Sequence, residues 1–251
     1  MMEAKEKIVT AAQVRNKTLL SLFFLFLFMG SSVLTWKWLQ KQPKDQGALK
    51  PLRKALDVNE SIFNGMFSNY HLAKTYPKEM AVAKVRVNGS AGIGDNFDPS
   101  AWKLKVIKSP GDTLFISLDE IKKLPKTEIV YDFKCIEGWS QITHWAGVRF
   151  SDFVKKYGLD AQAQFQFTGL ETPDDEYYVG IDTKSMMHPQ TLLCYEMNDA
   201  PLPMNQGYPL RLIIPVKYGV KNIKRIGTIY FSSSRPPDYW YERGYDYYCG
   251  L

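Results

Sequence analysis

An uncharged apolar stretch near the start of the sequence restricts where this chain can reside. Residues 18–36 read TLLSLFFLFLFMGSSVLTW and contain no charged side chain. A helix of that length would span about 28 Å, close to the hydrocarbon thickness of a bilayer. Trp36 and Trp38 stand at its end, where interfacial aromatic residues are common. The sequence therefore predicts a retained single-span membrane anchor. A cleavable signal peptide is the alternative, and Gly30-Ser31-Ser32 offers a faint version of its small-residue cleavage site.

The charges beside this stretch do not decide its orientation. Lysine and arginine residues occur on both flanks, and the positive-inside rule counts both flanks. We expect residues 1–17 to form a polar tail, residues 18–36 the membrane anchor and residues 37–74 a linker with a short helix. Residues 75–251 would then form the soluble domain.

Composition limits the classes of function that this chain can have. Hydrophobic residues make up 45% and charged residues 23%, which is ordinary for a globular protein. The net charge of +6 is spread along the chain, without the dense basic block that grips nucleic acid. Three cysteines cannot all pair, and three histidines are too few for a histidine-rich metal site.

The pattern of the soluble part indicates more strand than helix. From about Ala81, short runs of alternating apolar residues are separated by turn residues. Residues 82–87 and 128–133 read as strands, and residues 150–158 read as a short helix with a glycine stop. The sequence therefore predicts one mixed, strand-rich α+β domain.

A single cysteine follows the strand at residues 128–133. Gly138 and Trp139 come soon after Cys135. A thiol at the junction of a strand and a loop is presented to a cavity, where a thiolate nucleophile or a soft metal ligand would lie. A buried structural cysteine is the commoner alternative.

The most basic short stretch of the soluble part lies between two apolar strands. Its cations alternate with glycine and asparagine, and such a loop suits a buried phosphate or other anion. A solvated charged face is the usual alternative for such a run. The cations are Arg211, Lys217, Lys221, Lys224 and Arg225.

Four separated motifs carry a resemblance to a known family. They are Cys135-Ile136-Glu137-Gly138-Trp139-Ser140 with Trp145-Ala146-Gly147, Met187-His188-Pro189-Gln190-Thr191-Leu192, residues 202–224, and Arg235-Pro236-Pro237 followed by Trp240. In this order they resemble the molybdopterin-dependent catalytic domain of the sulfite oxidase family. Within it, they are most similar to the catalytic subunits of bacterial periplasmic protein-methionine-sulfoxide reductases. The resemblance begins near Thr75 and implies a sulfite-oxidase-type fold.

This resemblance implies roles for individual residues. Cys135 would be the thiolate ligand of molybdenum, and thiolate is a soft ligand. Gln206 stands where the family often has asparagine or histidine. The residues that would contact molybdopterin are Asn88, Cys135, Thr168, Gln206, Arg211, Asn222, Ile223 and Lys224. The residues that would form the catalytic pocket are Cys135, Trp139, His144 and Tyr178.

The resemblance also implies a reaction, which is two-electron oxygen-atom transfer. In sulfite oxidases the cysteine is followed by asparagine and arginines, whereas here residues 136–139 are apolar, acidic and aromatic. Such a rim suits a neutral S- or N-oxide, free or protein-bound, better than a sulfite dianion. A sulfite-oxidising enzyme would need arginines from elsewhere, such as Arg149 or Arg243. A cofactor-free binding module on the same fold is a further alternative.

The source of electrons and the location follow from the same resemblance. The chain has no haem-attachment motif and too few cysteines for an iron–sulfur cluster, so a membrane quinol-linked or cytochrome partner would supply electrons. The soluble domain would be periplasmic. Exported relatives carry twin-arginine signals, of which Arg15-Asn16-Lys17 is a degenerate version.

Overall fold

A long apolar helix lies at the start of the described chain. The computed structural model describes residues 10–94 and 96–251. Helix α1 spans Ala11–Gln40 and begins with a capping box between Thr10 and Gln13. None of it is buried, and its most apolar window has a mean hydropathy of 2.0. By length and composition it can cross a membrane, although a signal sequence has the same properties. The helix extends beyond residues 18–36 on both sides, and residues 1–9 of the predicted polar tail lie outside the described residues.

The segment after α1 is folded against the soluble domain. Strands β1 (Lys44–Asp45) and β2 (Ala48–Leu49) pair in an antiparallel hairpin and lead into helix α2 (Lys50–Met66). Gly47 lies in the turn with φ +78°, and a Cβ there would lie 2.6 Å from the backbone nitrogen of Gly244. Only glycine fits this contact, so the hairpin is held closely against the C-terminal part of the chain.

Helix α2 is attached to the same region by a buried arginine. The guanidinium of Arg53 donates hydrogen bonds to the carbonyl oxygens of Gln46, Tyr241 and Tyr245 at 2.8–3.0 Å. It also lies 4.1 Å from the centre of the Tyr241 ring. These contacts tie the beginning of α2 to both the hairpin and the C-terminal region.

Two five-stranded sheets form the body of the soluble domain. In chain order the elements are β3 (Leu104–Ser109), β4 (Asp112–Ile116), α3 (Leu118–Lys122), β5 (Lys126–Lys134), β6 (Ser140–Arg149), α4 (Phe150–Lys156), β7 (Phe167–Glu171), β8 (Tyr178–Asp182), α5 (Thr183–Met186), β9 (Leu192–Met197), β10 (Ala200–Pro201), β11 (Arg211–Ile213) and β12 (Thr228–Ser232). One sheet has the order β10-β9-β6-β5, with β11 also paired to β9, and the other has the order β4-β3-β12-β7-β8. Among the described residues, the strands of both sheets pair antiparallel except for β3 with β12, which are parallel.

Strand β9 is buried on both faces and separates two apolar clusters. Leu193 and Tyr195 join the main core, which contains side chains from both sheets. Leu192 and Cys194 point the other way, into a smaller cluster that includes Trp145. This division follows from the two-residue period of a strand. The predicted mixed, strand-rich fold is confirmed.

One predicted strand is wrong. Residues 82–87 form no strand in the structure. One backbone hydrogen bond joins this segment to β6, from the Val82 nitrogen to the Ile142 carbonyl at 3.0 Å. Side-chain amides make further contacts with its backbone: Asn198 donates to the Val82 carbonyl at 3.1 Å, Gln141 accepts from the Arg86 nitrogen at 2.9 Å, and Gln206 donates to the Val85 carbonyl at 3.3 Å. We call residues 82–91 the cover segment.

Gly47→Ala is expected to loosen the contact between the hairpin and the C-terminal region. The left-handed conformation alone costs an L-residue about 1–2 kcal/mol, and the added methyl group would clash with backbone atoms. The melting temperature of the detergent-solubilised protein should fall by several degrees, and proteolysis at residues 41–50 should become faster.

Gly65→Ala is the matched control, because open space surrounds an added methyl group in α2. It should leave the melting temperature unchanged or raise it, since alanine is favoured over glycine in a helix by about 1 kcal/mol. Equal melting temperatures for Gly47→Ala and the unmodified protein would contradict the close contact.

Candidate active site

A cavity of about 300 Å³ lies beside the turn that connects β5 to β6. This volume is at the lower end of the ~300–1,000 Å³ typical of small-molecule sites. The cover segment forms part of its wall. The aromatic side chains that line it are Phe133, Trp139, Trp145, Tyr177, Tyr239, Trp240 and Tyr245.

A tight turn places Cys135 on the cavity wall. Its backbone nitrogen donates to the Trp139 carbonyl at 2.9 Å, and its own carbonyl accepts from the Gly138 nitrogen at 3.0 Å. Gly138 has φ +87°, a conformation that glycine adopts without steric cost. The side-chain amide of Asn88 donates to the Cys135 Sγ at 3.8 Å. The thiol is thus nearly buried, lines the cavity and receives one hydrogen bond.

Arg211 brings a positive charge into the cavity from β11. The buried guanidinium donates to the backbone and side-chain oxygens of Gln206 at 3.1 and 3.0 Å, and to the Asn222 carbonyl at 3.3 Å. Its Nε has no hydrogen-bond partner among the described residues. The guanidinium carbon lies 4.4 Å from the centre of the Trp145 ring. Burial lowers the pKa of Arg211 to about 10, so the charge is retained at neutral pH although it is poorly solvated.

Lys224 adds a second positive charge to the cavity. Its Nζ donates to the carbonyl oxygens of Asn88 and Gly89 at 2.8 and 3.0 Å. Burial, and secondarily the charge of Arg211, lower the pKa of Lys224 to about 8. Within residues 10–94 and 96–251, neither cation forms a salt bridge with a carboxylate. The cavity therefore favours an anion.

Other lysines of the predicted anion loop serve the fold. Lys217 forms a buried ion pair with Asp182 at 2.6 Å, and Lys221 forms one with Asp238. A carboxylate already compensates each of these charges. The cations of this loop therefore have two different roles. Lys217 and Lys221 form ion pairs within the fold, whereas Arg211 and Lys224 line the cavity.

The rim of the cavity carries both signs of charge. The guanidinium of Arg86 lies 4.8 Å from the centre of the Trp139 ring. The indole nitrogen of Trp139 donates to Glu137 Oε2 at 3.1 Å. Hydrogen bonds, first from Asn88 and then from Trp139, lower the pKa of Glu137. The rim is thus an aromatic surface with one arginine and one ionised carboxylate.

The structure separates the sequence-predicted site residues into two groups. Seven line the cavity: Asn88, Cys135, Trp139, Gln206, Arg211, Asn222 and Lys224. Four do not line it: His144, Thr168, Tyr178 and Ile223. The prediction of His144 and Tyr178 as pocket residues is therefore corrected, and Thr168 and Ile223, predicted as cofactor contacts, lie away from the cavity wall.

Successive side chains of an extended chain point in opposite directions, and this alternation explains most of the difference between the two groups. Trp145 and Tyr177 line the cavity, so their neighbours His144 and Tyr178 point elsewhere. The Tyr178 hydroxyl donates to Glu242 at 2.5 Å. Ile223 likewise turns into the main core between two residues that line the cavity.

Thr168 is held away from the cavity by its own partner. Its buried hydroxyl shares a 3.0 Å hydrogen bond with the hydroxyl of Thr183.

Several residues that line the cavity were not predicted as site residues from the sequence. The signal for Trp145 was its aromatic–glycine motif, and Arg86 was hidden by the assignment of its segment to a strand. The missed residues include Arg86, Trp145, Tyr177, Trp240 and Tyr245.

An aromatic cavity lined by a thiol and by the cations Arg211 and Lys224 is suited to a protein of the class that binds an anionic, metal-bearing cofactor. The comparison with protein families agrees with this class. The chain belongs to the family described as "Oxidoreductase molybdopterin binding domain", whose model matches residues 91–240. The predicted membership and cofactor are thereby confirmed.

Relatives with curated names match the chain over different lengths. It is 31% identical over 88% of its length to a protein of Azospira oryzae provisionally named protein-methionine-sulfoxide reductase subunit YedZ1, of which it covers 83%. It is 35% identical over 57% of its length to the protein-methionine-sulfoxide reductase catalytic subunit MsrP of Xanthomonas campestris, of which it covers 48%. It is 29% identical over 60% of its length to the mitochondrial sulfite oxidase of Mus musculus, of which it covers 32%. The chain thus spans half or less of the latter two.

Anion binding in the cofactor-free protein is expected to depend on Lys224. Sulfate, which stays a dianion across this pH range, should bind below pH 8 and weaken as the pH rises through about 8, because Lys224 then loses its proton. Lys224→Gln should lower the affinity about tenfold or more and remove this pH dependence, since a hydrogen bond to a charged group contributes ~1.5–3 kcal/mol.

Titration calorimetry at several pH values measures this binding. Lys134→Gln is the matched control, because it removes one exposed lysine charge immediately before Cys135. Equal losses in both variants would mean that only the general field of the protein attracts sulfate, which would contradict a specific role for Lys224.

Proposed function

We propose that this chain is a membrane-anchored molybdopterin-dependent oxidoreductase that reduces an S- or N-oxide, such as methionine sulfoxide, with electrons from a partner. The observation that carries the proposal is that Cys135, Arg211 and Lys224 share one cavity. The names of two relatives, which refer to methionine sulfoxide reduction, support the direction of the reaction.

The residues of the cavity fit molybdopterin. This cofactor combines a sulfur-bound metal with a phosphate, and the cavity combines a thiol with two cations that lack carboxylate partners. Cys135 would hold the molybdenum, and Arg211 and Lys224 would hold the phosphate. The unpartnered Arg211 Nε is a buried donor for which a phosphate oxygen would be a partner.

Two further residues would position this set. Gln206 accepts a hydrogen bond from Arg211 and donates to the cover segment, so it orients the guanidinium. Asn222 uses its side chain to accept from the Ile214 nitrogen and to donate to the Tyr218 carbonyl, at 2.8 and 3.1 Å. Its role is therefore to shape the loop that precedes Lys224.

The protein would bind, orient and shield the substrate. The bound cofactor supplies two-electron oxygen-atom transfer. Reduction of a sulfoxide to a thioether consumes two electrons and two protons and releases water. Trp139 and its stacked neighbour Phe133, with ring centres 6.1 Å apart, offer aromatic surface to a methylthio group. Asn88 would orient the Cys135 sulfur through its side-chain amide.

Electrons would come from a protein in the same membrane. The chain contains no haem-attachment motif, and its three cysteines are too few for an iron–sulfur cluster. Helix α1 would keep the enzyme beside a quinol-linked or cytochrome partner. We place the soluble domain on the periplasmic side, as in the exported branch that the sequence resembles.

Cys135→Ser is expected to abolish methionine sulfoxide reduction by the molybdenum-loaded protein. The reaction would be followed with a reduced viologen dye as the electron donor. Cys194→Ala is the matched control: Cys194 is a buried thiol of the smaller apolar cluster, outside the cavity. That variant should keep most of the activity, with at most a loss of stability. Full activity in Cys135→Ser would contradict the proposed function.

Sulfite oxidation is a second candidate, favoured by the position of Arg86. The arginines first considered for an anionic substrate, Arg149 and Arg243, do not line the cavity. Arg86 lines it and lies over Trp139, so one cation stands where a substrate would enter. The match to a sulfite oxidase is consistent with this candidate.

Arg86→Gln distinguishes the two reactions. If sulfoxides are the substrates, the variant should keep its kcat/KM for methionine sulfoxide within about threefold, because a neutral substrate gains little from a rim charge. If sulfite is the substrate, kcat/KM for sulfite should fall tenfold or more as the salt bridge to the dianion is lost. Steady-state kinetics on both substrates, with the unmodified protein as reference, decides between them.

A further inference from the structure

Helix α2 presents its apolar side to solvent and its polar side to the protein. Arg53 and Glu60 are only 2% and 9% exposed, whereas Val58, Ile62 and Met66 are 58%, 53% and 65% exposed. In a helix of a soluble protein the apolar stripe normally faces the core. The arrangement of α2 is therefore the reverse of the usual one.

Polar contacts fix the helix in this orientation. Arg53 donates to the carbonyls of Tyr241 and Tyr245, and Arg235 donates to Glu60 at 2.7 Å. Rotation of α2 to bury its apolar side would break all of these contacts. The fold therefore holds the apolar side of α2 in an exposed position.

The exposed stripe is continuous. Val58, Ile62 and Met66 are spaced four residues apart and lie on one side of the helix. Leu52 and Phe63, which are 47% and 46% exposed, widen this side. A continuous exposed apolar surface of this kind marks an interaction site.

We propose that the outer side of α2 lies in the interface of the bilayer that α1 crosses, between the headgroups and the acyl chains. This inference rests on the membrane anchoring in the proposed function. Residues 41–49 separate the two helices, and they do not form an extended tether. The hairpin folds the chain back, so that the nitrogen of Lys50 donates to the carbonyl of Pro43 at 2.9 Å. The first residue of α2 therefore lies only a few residues from the end of α1, beside the membrane surface.

The composition of this surface favours lipid as its occupant. Interfacial helices combine an apolar side with lysines that pair with anionic headgroups. Lys50 and Lys54 are exposed on α2, and Lys41 and Lys44 are exposed in the preceding segment. Trp38, at the end of α1, is exposed and is a residue type that favours the interface.

This position of α2 would orient the catalytic cavity toward the membrane. Arg53 binds the Tyr241 and Tyr245 carbonyls, and the Tyr245 side chain lines the cavity. The wall formed by Trp240 and Tyr245 would then lie close to the bilayer, within reach of an electron donor embedded in it.

Nitroxide labels on the full-length chain in vesicles test the proposal. The vesicles would contain phosphatidylcholine and phosphatidylglycerol, and the protein would carry its cofactor and its native cysteines, because all three native thiols are buried. Labels would be attached at Ile62→Cys and Met66→Cys in the exposed stripe, and at Leu27→Cys in α1. Ser61→Cys is the matched control, because Ser61 is exposed but lies about 100° around the helix from Ile62. Power-saturation measurements give the accessibility of each label to oxygen, which enters lipid, and to a water-soluble nickel chelate.

The expected result is severalfold more oxygen and severalfold less nickel access at positions 62 and 66 than at position 61. Nickel access at position 62 equal to that at position 61 would overturn the proposal. Protection of positions 62 and 66 from both reagents would also overturn it, because protein, either a partner or a second copy, would then cover the surface. The label at position 27 tests the membrane anchoring by α1 separately from the position of α2. If position 27 is exposed to lipid while position 62 is exposed to water, the anchoring is supported and only the inference on α2 is contradicted.

Discussion

The positive charge that Arg211 and Lys224 hold inside the cavity is the constraint on which the rest of the site depends. Burial lowers the pKa of both, which means that each charge is poorly solvated there. Both donate only to neutral oxygens, whereas Lys217 and Lys221 of the same loop have carboxylate partners. This loop pairs Lys217 and Lys221 with carboxylates and leaves Arg211 and Lys224 on the wall of the cavity that Cys135 also lines, so the cavity is suited to an anion that carries a soft metal.

Side-chain hydrogen bonds connect this charge to the outside of the domain. Gln206 joins Arg211 to the cover segment, and Lys224 binds the carbonyl of Asn88 in that same segment. Tyr245, which also lines the cavity, accepts a hydrogen bond from the buried Arg53 of α2. The two cations, the cover segment and helix α2 are thus connected through contacts between elements that are far apart in sequence.

The sequence predicted the parts of the site whose signals are local. Cys135 follows a strand and precedes a glycine turn, and Arg211 lies in a basic loop between apolar strands, so residue type and position were enough. His144 was misplaced because the side that a strand residue faces depends on pairing, which sequence does not show. Strand β6 was not predicted because residues 143–148 are buried on both faces and do not alternate. The orientation of α2 was not predicted either, since it depends on the contacts of Arg53 with residues nearly two hundred positions away.

X-ray absorption at the molybdenum K-edge tests the central claim most directly, namely that the Cys135 thiol and the two cavity cations hold one molybdenum cofactor. The protein would be purified from molybdenum-replete cells as the unmodified chain and as Cys135→Ser. The account predicts molybdenum in the unmodified protein, and in the variant either one sulfur ligand fewer or no metal. A full complement of molybdenum with unchanged sulfur coordination in Cys135→Ser would contradict it.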